Sequence, residues 1–327
     1  MRATISLTLF LVVAAAHHTA AADPMPLELE KKIPLGKVSG RIDHFAIDPK
    51  GHRLFLAELG NNTVSAIDIK TGTVVQRLTG LREPQGVGFA PEDDVLYVAN
   101  AGDGSVQTFR GSEPLAKLDL KDDADNVRID STTQDVVVGF GSGALAVIDA
   151  KTLAKKAEIK LKGHPESFQI DSIRRRAYVN VPDAHEIAVV DLAKGQQVAA
   201  WNKLPASSNF PMALIANGER VAVAFRSPAR LIVFDASNGS VVNQMPTCGD
   251  ADDVFFDPRR DRLYVSCGEG KIDVFEKATS APHLIAQVPT SLGARTAFFD
   301  ATDDRLYLAV RAVLTRPAEV WVYRATE

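Results

Sequence analysis

The sequence predicts an all-β fold, a seven-bladed β-propeller made of four-stranded antiparallel blades. Two observations carry this prediction: a strand–turn–strand pattern recurs seven times, and the last copy lacks a fourth strand that the N-terminal residues can supply. The 327-residue chain is 46% hydrophobic and 24% charged, which is the composition of a water-soluble globular protein. Large all-β folds often use this length as one domain.

The first 22 residues have the pattern of an export signal. Arg2 supplies the positive charge, Ala3 to Ala16 supply the apolar stretch, and Ala20 to Ala22 supply the small residues of a cleavage site. The apolar run is shorter than the ~20 residues that cross a bilayer, so we favour cleavage after Ala22 over an uncleaved anchor helix. We therefore expect residues 23–327 to form a single propeller domain, bacterial and periplasmic or secreted, with no membrane span after signal removal.

Each repeat contains an anchor residue, and its second strand begins five residues after that anchor. Successive anchors are 40–44 residues apart. The seven anchors are Asp48, Ala90, Asp130, Asp171, Ile215, Asp257 and Asp300. The second strands read RLFLAE, VLYVAN, DVVVGF, RAYVNV, RVAVAF, RLYVSC and RLYLAV. Third strands such as VSAIDI (residues 64–69) and weaker fourth strands such as VVQRL (residues 74–78) follow. Four strands per repeat of about 40 residues are typical of a propeller blade.

The N-terminal residues are predicted to close the ring. The seventh unit ends with its third strand at residues 320–324, so its fourth strand is missing. Residues 27–34 (LELEKKIP) end in an apolar residue followed by proline, as the fourth strands ending at Pro205, Pro246 and Pro289 do. Proline has no N–H to donate and is therefore tolerated on an outer edge strand. We predict that residues 27–34 complete the last blade.

The repeat also resembles a known family. The segments LYVAN at residues 96–100 and RLYVS at residues 262–266, each followed by a VxVID-like strand, are similar to the YVTN-repeat propellers of the YncE type. The resemblance spans all seven units, although units three and five (VVVGF and VAVAF) lack the tyrosine. It implies a seven-bladed, exported bacterial propeller. Because this fold is shared with enzymes, function must be argued from the site.

In a propeller, the links between blades and the loops between second and third strands share one face, which we call the link face. Here these loops are rich in carboxylates, with some Arg, His and amide side chains. The candidate ligand-binding residues are Arg41, Asp43, His44, Glu58, Gln85, Asn100, Asp125, Asn126, His164, Glu166, Arg226, Asp252, Asp253 and Arg295. Two interpretations stay open. The Asp and Asn side chains either satisfy backbone groups in tight links or hold a small polar ligand or a divalent cation such as Ca²⁺.

These residues favour a binding or interaction scaffold whose occupant is a small ligand, a metal ion or a periplasmic protein partner. The alternative is a metal-dependent propeller hydrolase or lyase of the lactonase type, with oxygen ligands from Glu58, Asn100, Asn126 and Asp253 and with His44 as general base. The sequence contains no C-x-x-C-H, H-E-x-x-H, G-x-S-x-G or P-loop motif. A formal net charge of −4 argues against strong nucleic-acid binding.

Two pairings between side chains are also predicted. In units one, four, six and seven an arginine follows the anchor aspartate after five residues, as in Asp257 and Arg262, and the two can bridge the hairpin between the first and second strands. Cys248 and Cys267 fall at the same face of the sixth unit. An exported location permits a disulfide between them, with two free thiols as the alternative.

Overall fold

The computed structural model describes residues 25–327, so the predicted export signal and its cleavage site lie outside the described residues. Within this range, 28 strands form seven four-stranded sheets, and neighbouring strands in each sheet pair antiparallel. This confirms the predicted all-β propeller with seven blades. Helical structure in residues 25–327 is limited to the 3₁₀ turns Leu59–Asn61, Pro182–Ala184 and Ala216–Gly218.

Each of blades one to six consists of four consecutive strands. Blade one contains β2 (Phe45–Asp48), β3 (Arg53–Glu58), β4 (Thr63–Asp68) and β5 (Thr73–Leu78). Blade two contains β6 (Pro84–Ala90), β7 (Val95–Asn100), β8 (Ser105–Arg110) and β9 (Glu113–Asp119). Blade three contains β10 (Ala124–Ile129), β11 (Val136–Phe140), β12 (Ala144–Ile148) and β13 (Lys155–Lys160).

The remaining blades repeat this order. Blade four contains β14 (Phe168–Asp171), β15 (Arg176–Val181), β16 (Glu186–Asp191) and β17 (Gln196–Trp201). Blade five contains β18 (Ser207–Ile215), β19 (Arg220–Ser227), β20 (Ala229–Asp235) and β21 (Val241–Pro246). Blade six contains β22 (Ala251–Asp257), β23 (Arg262–Cys267), β24 (Lys271–Glu276) and β25 (His283–Pro289). Blade seven contains β26 (Ala297–Asp300), β27 (Arg305–Val310), β28 (Glu319–Ala325) and β1 (Leu27–Pro34).

Closure of the ring by the N-terminal strand is confirmed. Strand β1 pairs antiparallel with β28 along its whole length, from Leu27 opposite Ala325 to Pro34 opposite Glu319. Leu27 and Ile33 point into the core, with 2% and 1% of their surface exposed, whereas Leu29 is 45% exposed. The strand therefore contributes both backbone pairing and buried apolar surface, and it holds the two ends of the described chain together.

The core lies between neighbouring blades. The cluster that contains Tyr97 of blade two, for example, also contains Val136 and Ile148 of blade three, all of them buried. The tyrosines of the repeat are buried on the second strand, and Tyr97 and Tyr178 donate their hydroxyl protons to backbone carbonyls of other blades at 2.8 and 3.1 Å. Tyrosine suits this position because its ring fills the interface and its hydroxyl finds a partner.

The predicted bridge between anchor aspartate and arginine forms in blade one, where Arg53 lies 2.7 Å from Asp48. It is wrong for blades four and six, whose anchors pair with Arg174 and Arg260, three residues after the anchor rather than five. The turn places these nearer arginines beside the carboxylate. In blade seven, Arg305 pairs with Glu30 of the closing strand β1 at 2.9 Å, because closure brings a second carboxylate within its reach.

Two further features concern the chain as a whole. Cys248 and Cys267 are joined by a disulfide, which ties the link before β22 to the end of β23, and their Cα atoms are 5.9 Å apart. Among residues 25–327, no helix has the length and apolar character needed to cross a membrane.

Candidate functional site

Seven side chains occupy equivalent positions where the links enter the first strands, each five residues before its anchor. We call this set the link ring. Its members, in blade order, are Asp43, Gln85, Asp125, Glu166, Phe210, Asp252 and Arg295. Six of them were predicted from the sequence, and Phe210 was missed because an aromatic residue in a polar link gave no signal of its own. The link ring thus combines four carboxyl groups with one amide, one guanidinium and one aromatic ring.

One side of the link ring is held by histidines across the channel axis. Nε2 of His44 lies 3.6 Å from Oδ1 of Asp43 and 3.7 Å from Oδ1 of Asp125, although these aspartates belong to blades one and three. Oδ2 of Asp125 lies 3.8 Å from Nε2 of His164, in the link before blade four. Side chains from non-adjacent blades therefore meet over the channel. We call His44, Asp125, His164 and Glu166 the histidine side.

The other side of the link ring is neutralised by arginines. Nη2 of Arg226 lies 2.5 Å from Oδ1 of Asp252. Arg295 contacts the same Asp252 through Nε at 3.2 Å and Asp250 through Nη1 at 2.6 Å. The guanidinium of Arg226 also stacks on Phe210, 3.9 Å from the ring centroid, which is a favourable cation–π arrangement. On this side the polar groups already have protein partners.

Burial moves the protonation equilibria of the carboxyl groups. Burial raises the pKa of Asp43 to about 6 against the opposing charges of His44 and Arg41. It also raises the pKa of Glu166 to about 7, and the neighbouring Asp125 adds to this rise. The pKa of Asp253 is likewise raised by burial to about 7. These carboxyl groups exchange protons near neutral pH because their charged forms are poorly solvated.

For the two histidines, neighbouring carboxyl groups raise the pKa and burial opposes this rise. Contact with the Asp125 carboxylate raises the pKa of His164 to about 9, and its Nδ1 also lies 2.7 Å from the carbonyl oxygen of Gly141. Burial opposes protonation of His44, but Asp43 and Asp125 raise its pKa above the ordinary value. The neighbouring carboxyl groups therefore favour the protonated form of both imidazoles.

The histidine side predicts a pH dependence of stability. The raised pKa values of Asp43, Glu166, Asp253 and His164 mean that the folded protein binds protons more tightly than the unfolded chain. Their contribution to the free energy of unfolding is complete below the unfolded pKa values and is lost as pH rises through the folded ones. We expect Tm to fall by about 5 °C between pH 5.5 and pH 8.5 in differential scanning calorimetry. A Tm that stays level or rises over this window would contradict the assignment.

Some acceptor oxygens at and next to the histidine side have no donor within hydrogen-bond distance. Asp125 and Asn126 are 6% and 1% exposed, and Oδ1 of each is buried without a hydrogen-bond partner. The carboxyl group of Glu166 makes no hydrogen bond and no ion pair with another residue of the described range 25–327. Buried polar atoms are normally satisfied, and an exception calls for an explanation. These oxygens could accept hydrogen bonds from a ligand that carries N–H or O–H donors.

The half of the channel below the link ring contains a cavity of about 670 Å³, which we call the channel cavity. It extends towards the opposite face, which carries the turns between first and second strands and which we call the hairpin face. Its wall is largely apolar, with one side chain from each of blades one to six just before the anchor: Ile47, Phe89, Ile129, Ile170, Leu214 and Phe256. Its polar lining residues are His44, Arg128, Gln169 and Asp253.

The channel cavity was missed because apolar residues in first strands are typical of core positions. One signal was present in the sequence. Two residues before the anchor, blade three carries Arg128, where blades one, two and five carry Ala46, Gly88 and Ala213. A charged residue at a position that is small or apolar in five of the other blades indicates an opening at that level of the ring.

Solved structures share the fold. A chain of the hydrazine synthase of Kuenenia stuttgartiensis superposes with a TM-score of 0.77 at 18% identity, covering 88% of this chain and 97% of that one. A chain of a mitotic checkpoint complex superposes with a TM-score of 0.80 at 12% identity, covering 99% of both chains. No family model and no curated protein matches the chain. The likeness shows the propeller fold alone, and the resemblance to YVTN-repeat proteins stays a prediction.

Two predicted site residues belong to hairpins instead of the channel. Glu58 is fully buried and accepts hydrogen bonds from Thr63 and Ser65 at 2.5 and 2.6 Å within blade one. Asn100 is also fully buried and accepts the backbone N–H of Arg82 at 3.1 Å. Glu58 thus braces the loop between β3 and β4, and Asn100 joins the link before blade two to the start of β8, where its Nδ2 donates to the carbonyl oxygen of Ser105 at 3.3 Å.

The five residues of the lactonase-type hypothesis are therefore not gathered into one group. His44 and Asp253 line the channel cavity, whereas Glu58 is held by the hairpin of blade one and Asn100 by the link before blade two. Across residues 25–327, no group of three or more His, Cys, Asp or Glu side chains is placed to hold a metal ion. Among the remaining predicted residues, Arg41 contacts Asp43 at 2.8 Å and Gln85 at 3.2 Å, which links blades one and two.

Proposed function

We propose that this protein is an exported, non-enzymatic propeller of the YVTN-repeat type that binds a small organic cation at the link ring. The observation that carries the proposal is a set of acceptors at and next to the histidine side: Oδ1 of Asp125 and Oδ1 of Asn126, which are buried without a hydrogen-bond donor, and the carboxyl group of the half-buried Glu166. A ligand with several N–H donors and a positive charge would satisfy all three. Charge-assisted hydrogen bonds of this kind are the strong ones.

The position of the acceptors supports binding in preference to catalysis. They lie at the mouth of the channel among residues from several blades, which suits a site that surrounds its occupant. The lactonase-type alternative lacks this support because Glu58 already accepts hydrogen bonds from its own hairpin and Asn100 accepts one from the link before blade two. An ammonium or guanidinium group can belong to a free small molecule or to a lysine or arginine side chain of a periplasmic partner protein, and the chemistry of recognition is the same.

Calorimetric titration of the mature chain with butylammonium and butylguanidinium tests the proposal. Tetramethylammonium is the control ligand, since it carries the same charge without N–H donors. We expect the first two to bind and the control to bind at least about 10-fold more weakly, because a hydrogen bond to a charged group contributes about 1.5–3 kcal/mol. A cation beside Glu166 also lowers its pKa from about 7, so binding at pH 7 releases protons and the measured heat depends on the buffer.

The variant Glu166→Gln is expected to weaken butylammonium binding about 10-fold and to abolish the dependence of the heat on the buffer. Glu158→Gln is the matched control, because Glu158 is an exposed glutamate of the outer strand β13, with 41% of its side chain accessible. Equal binding of butylammonium and tetramethylammonium, or no effect of Glu166→Gln, would refute the site. Export is tested separately by N-terminal sequencing of the secreted form, which should begin at Asp23.

A further inference from the structure

The channel cavity is a second place where the protein can hold a ligand, at the other end of the channel from the link ring. Its volume of about 670 Å³ falls within the range of about 300–1,000 Å³ that is common for small-molecule sites. Such sites combine an apolar wall with a few polar groups that orient the ligand. The wall here is supplied by first strands of all seven blades, including the edge-to-face pair Phe255 and Phe298, whose ring centroids are 5.8 Å apart.

Arg128 is the polar group that distinguishes the inner end of this cavity. Within residues 25–327 its guanidinium makes no ion pair, and its hydrogen bond goes from Nη1 to the backbone carbonyl of the preceding residue, Val127, at 2.9 Å. The guanidinium lies 5.7 Å from the ring centroid of Phe168. By contrast, Arg41, Arg226 and Arg295 at the link ring all contact aspartates. Burial lowers the pKa of Arg128, although the charges of Asp253 and Asp125 oppose this fall. A half-buried guanidinium that makes no direct ion pair keeps N–H donors for an anionic ligand.

The other polar groups that line the cavity already have protein partners. Oδ2 of Asp253 accepts the backbone N–H of Ala297 at 2.8 Å. Nε2 of Gln169 donates to the carbonyl oxygen of Met212 at 3.0 Å. His44 lies between two aspartates of the link ring. Arg128 is therefore the group at this end of the cavity whose hydrogen-bonding capacity is left for a ligand.

We infer that the channel cavity binds an amphipathic organic anion, a monocarboxylate with an aliphatic or aromatic body. Its carboxylate would pair with the guanidinium of Arg128, which presents donors in a geometry that matches a carboxylate. Its body would lie against the apolar wall and be removed from water, at a gain of about 0.8 kcal/mol for each buried CH₂ group. This site is independent of the cation site at the link ring, and either can exist without the other.

Titration of the mature chain with decanoate and with 2-naphthoate tests the inference. Decanol is the control for decanoate because it has the same body without the negative charge. We expect one or both carboxylates to bind and decanol to bind at least about 10-fold more weakly. Binding of decanoate alone identifies an aliphatic body, and binding of 2-naphthoate alone identifies an aromatic one. If neither carboxylate binds, or if decanol binds as well as decanoate, the inference is wrong.

Two substitutions of Arg128 distinguish an effect of its charge on binding from an effect on folding. Arg128→Gln should weaken carboxylate binding at least about 10-fold and leave decanol binding unchanged, whereas Arg128→Lys, which keeps the charge but loses the bidentate geometry, should give an intermediate affinity. In the absence of ligand, Arg128→Gln should leave Tm nearly unchanged, because the substitution breaks no direct ion pair and only one hydrogen bond, to the carbonyl oxygen of Val127. Arg110→Gln, at an exposed position on an outer part of blade two, is the matched control. Unaltered decanoate binding in Arg128→Gln would overturn the assignment.

Discussion

Removing residues 25–34 from the mature chain is expected to abolish stable folding or to lower Tm by more than about 10 °C. The deletion removes strand β1 and its ladder with β28. It also exposes the core positions that Leu27 and Ile33 cover, where each buried aliphatic side chain contributes about 1.5–3 kcal/mol. The new outer edge of blade seven would then be β28, a strand with an apolar, normally buried surface, which promotes aggregation.

Point substitutions in the same strand provide a matched control for the deletion. Ile33→Asp places a charge at a position that is 1% exposed, whereas Leu29→Asp places it at one that is 45% exposed. We expect the first to lower the free energy of unfolding by about 4 kcal/mol or more and the second by less than about 0.5 kcal/mol, measured by denaturant titration. Adding a synthetic peptide of residues 25–34 should restore Tm of the truncated chain. A truncated chain with the Tm of the full one would show that the ring does not need β1.

Substituting Gly86 by alanine is expected to open the link ring. A Cβ atom at this position of β6 would lie 1.9 Å from the carbonyl oxygen of Asp125 and 3.0 Å from the side chain of Val127. Both neighbours belong to blade three, so blades two and three must move apart at their link-face ends. We expect a loss of about 3 kcal/mol in the free energy of unfolding, at the upper end of ordinary overpacking.

The displacement should also be visible at the histidine side. Asp125 would shift relative to His44 and His164, so the pKa of His164 should depart from about 9 in an NMR titration. Gly249→Ala is the matched control, because its Cβ would approach no closer than 3.4 Å to Oε2 of Glu269, an ordinary contact. If both variants give the same stability and the same histidine titration, blades two and three do not pack as closely as described.

The fold could be predicted from the sequence because the residues that specify each blade recur at a regular spacing. The anchor spacing gave the blades, and the apolar–proline ending of residues 27–34 gave the closing strand, since both patterns are local and repeat along the chain. The link ring could also be located, because links converge on one face in any propeller. The partners of individual side chains were harder to predict. In blade four the anchor Asp171 pairs with Arg174 and not with the predicted Arg176, because the turn places Arg174 beside the carboxylate.

The channel cavity shows a different limit of sequence reasoning. Whether Ile47 or Phe256 is sealed in the core or faces an opening depends on the radius of the channel, and that radius is set by how closely seven blades pack against one another. The apolar pattern is the same in both cases. The partners of Glu58 and Asn100 were hard to predict for a related reason, since a loop on the link face can use its polar groups to hold neighbouring backbone and side chains.

The pairing of β1 with β28 also affects how the molecule forms. The two strands lie at opposite ends of the described chain, so their contacts have close to the largest sequence separation that this chain allows. Closing such a long loop carries a large entropic cost and slows folding. Since synthesis proceeds from the N-terminus, β1 emerges first but has no partner until the last residues are made. During that interval the apolar side chains Leu27 and Ile33 of β1 stay exposed to solvent. Exposed apolar surface of this kind promotes aggregation of the nascent chain until the ring closes.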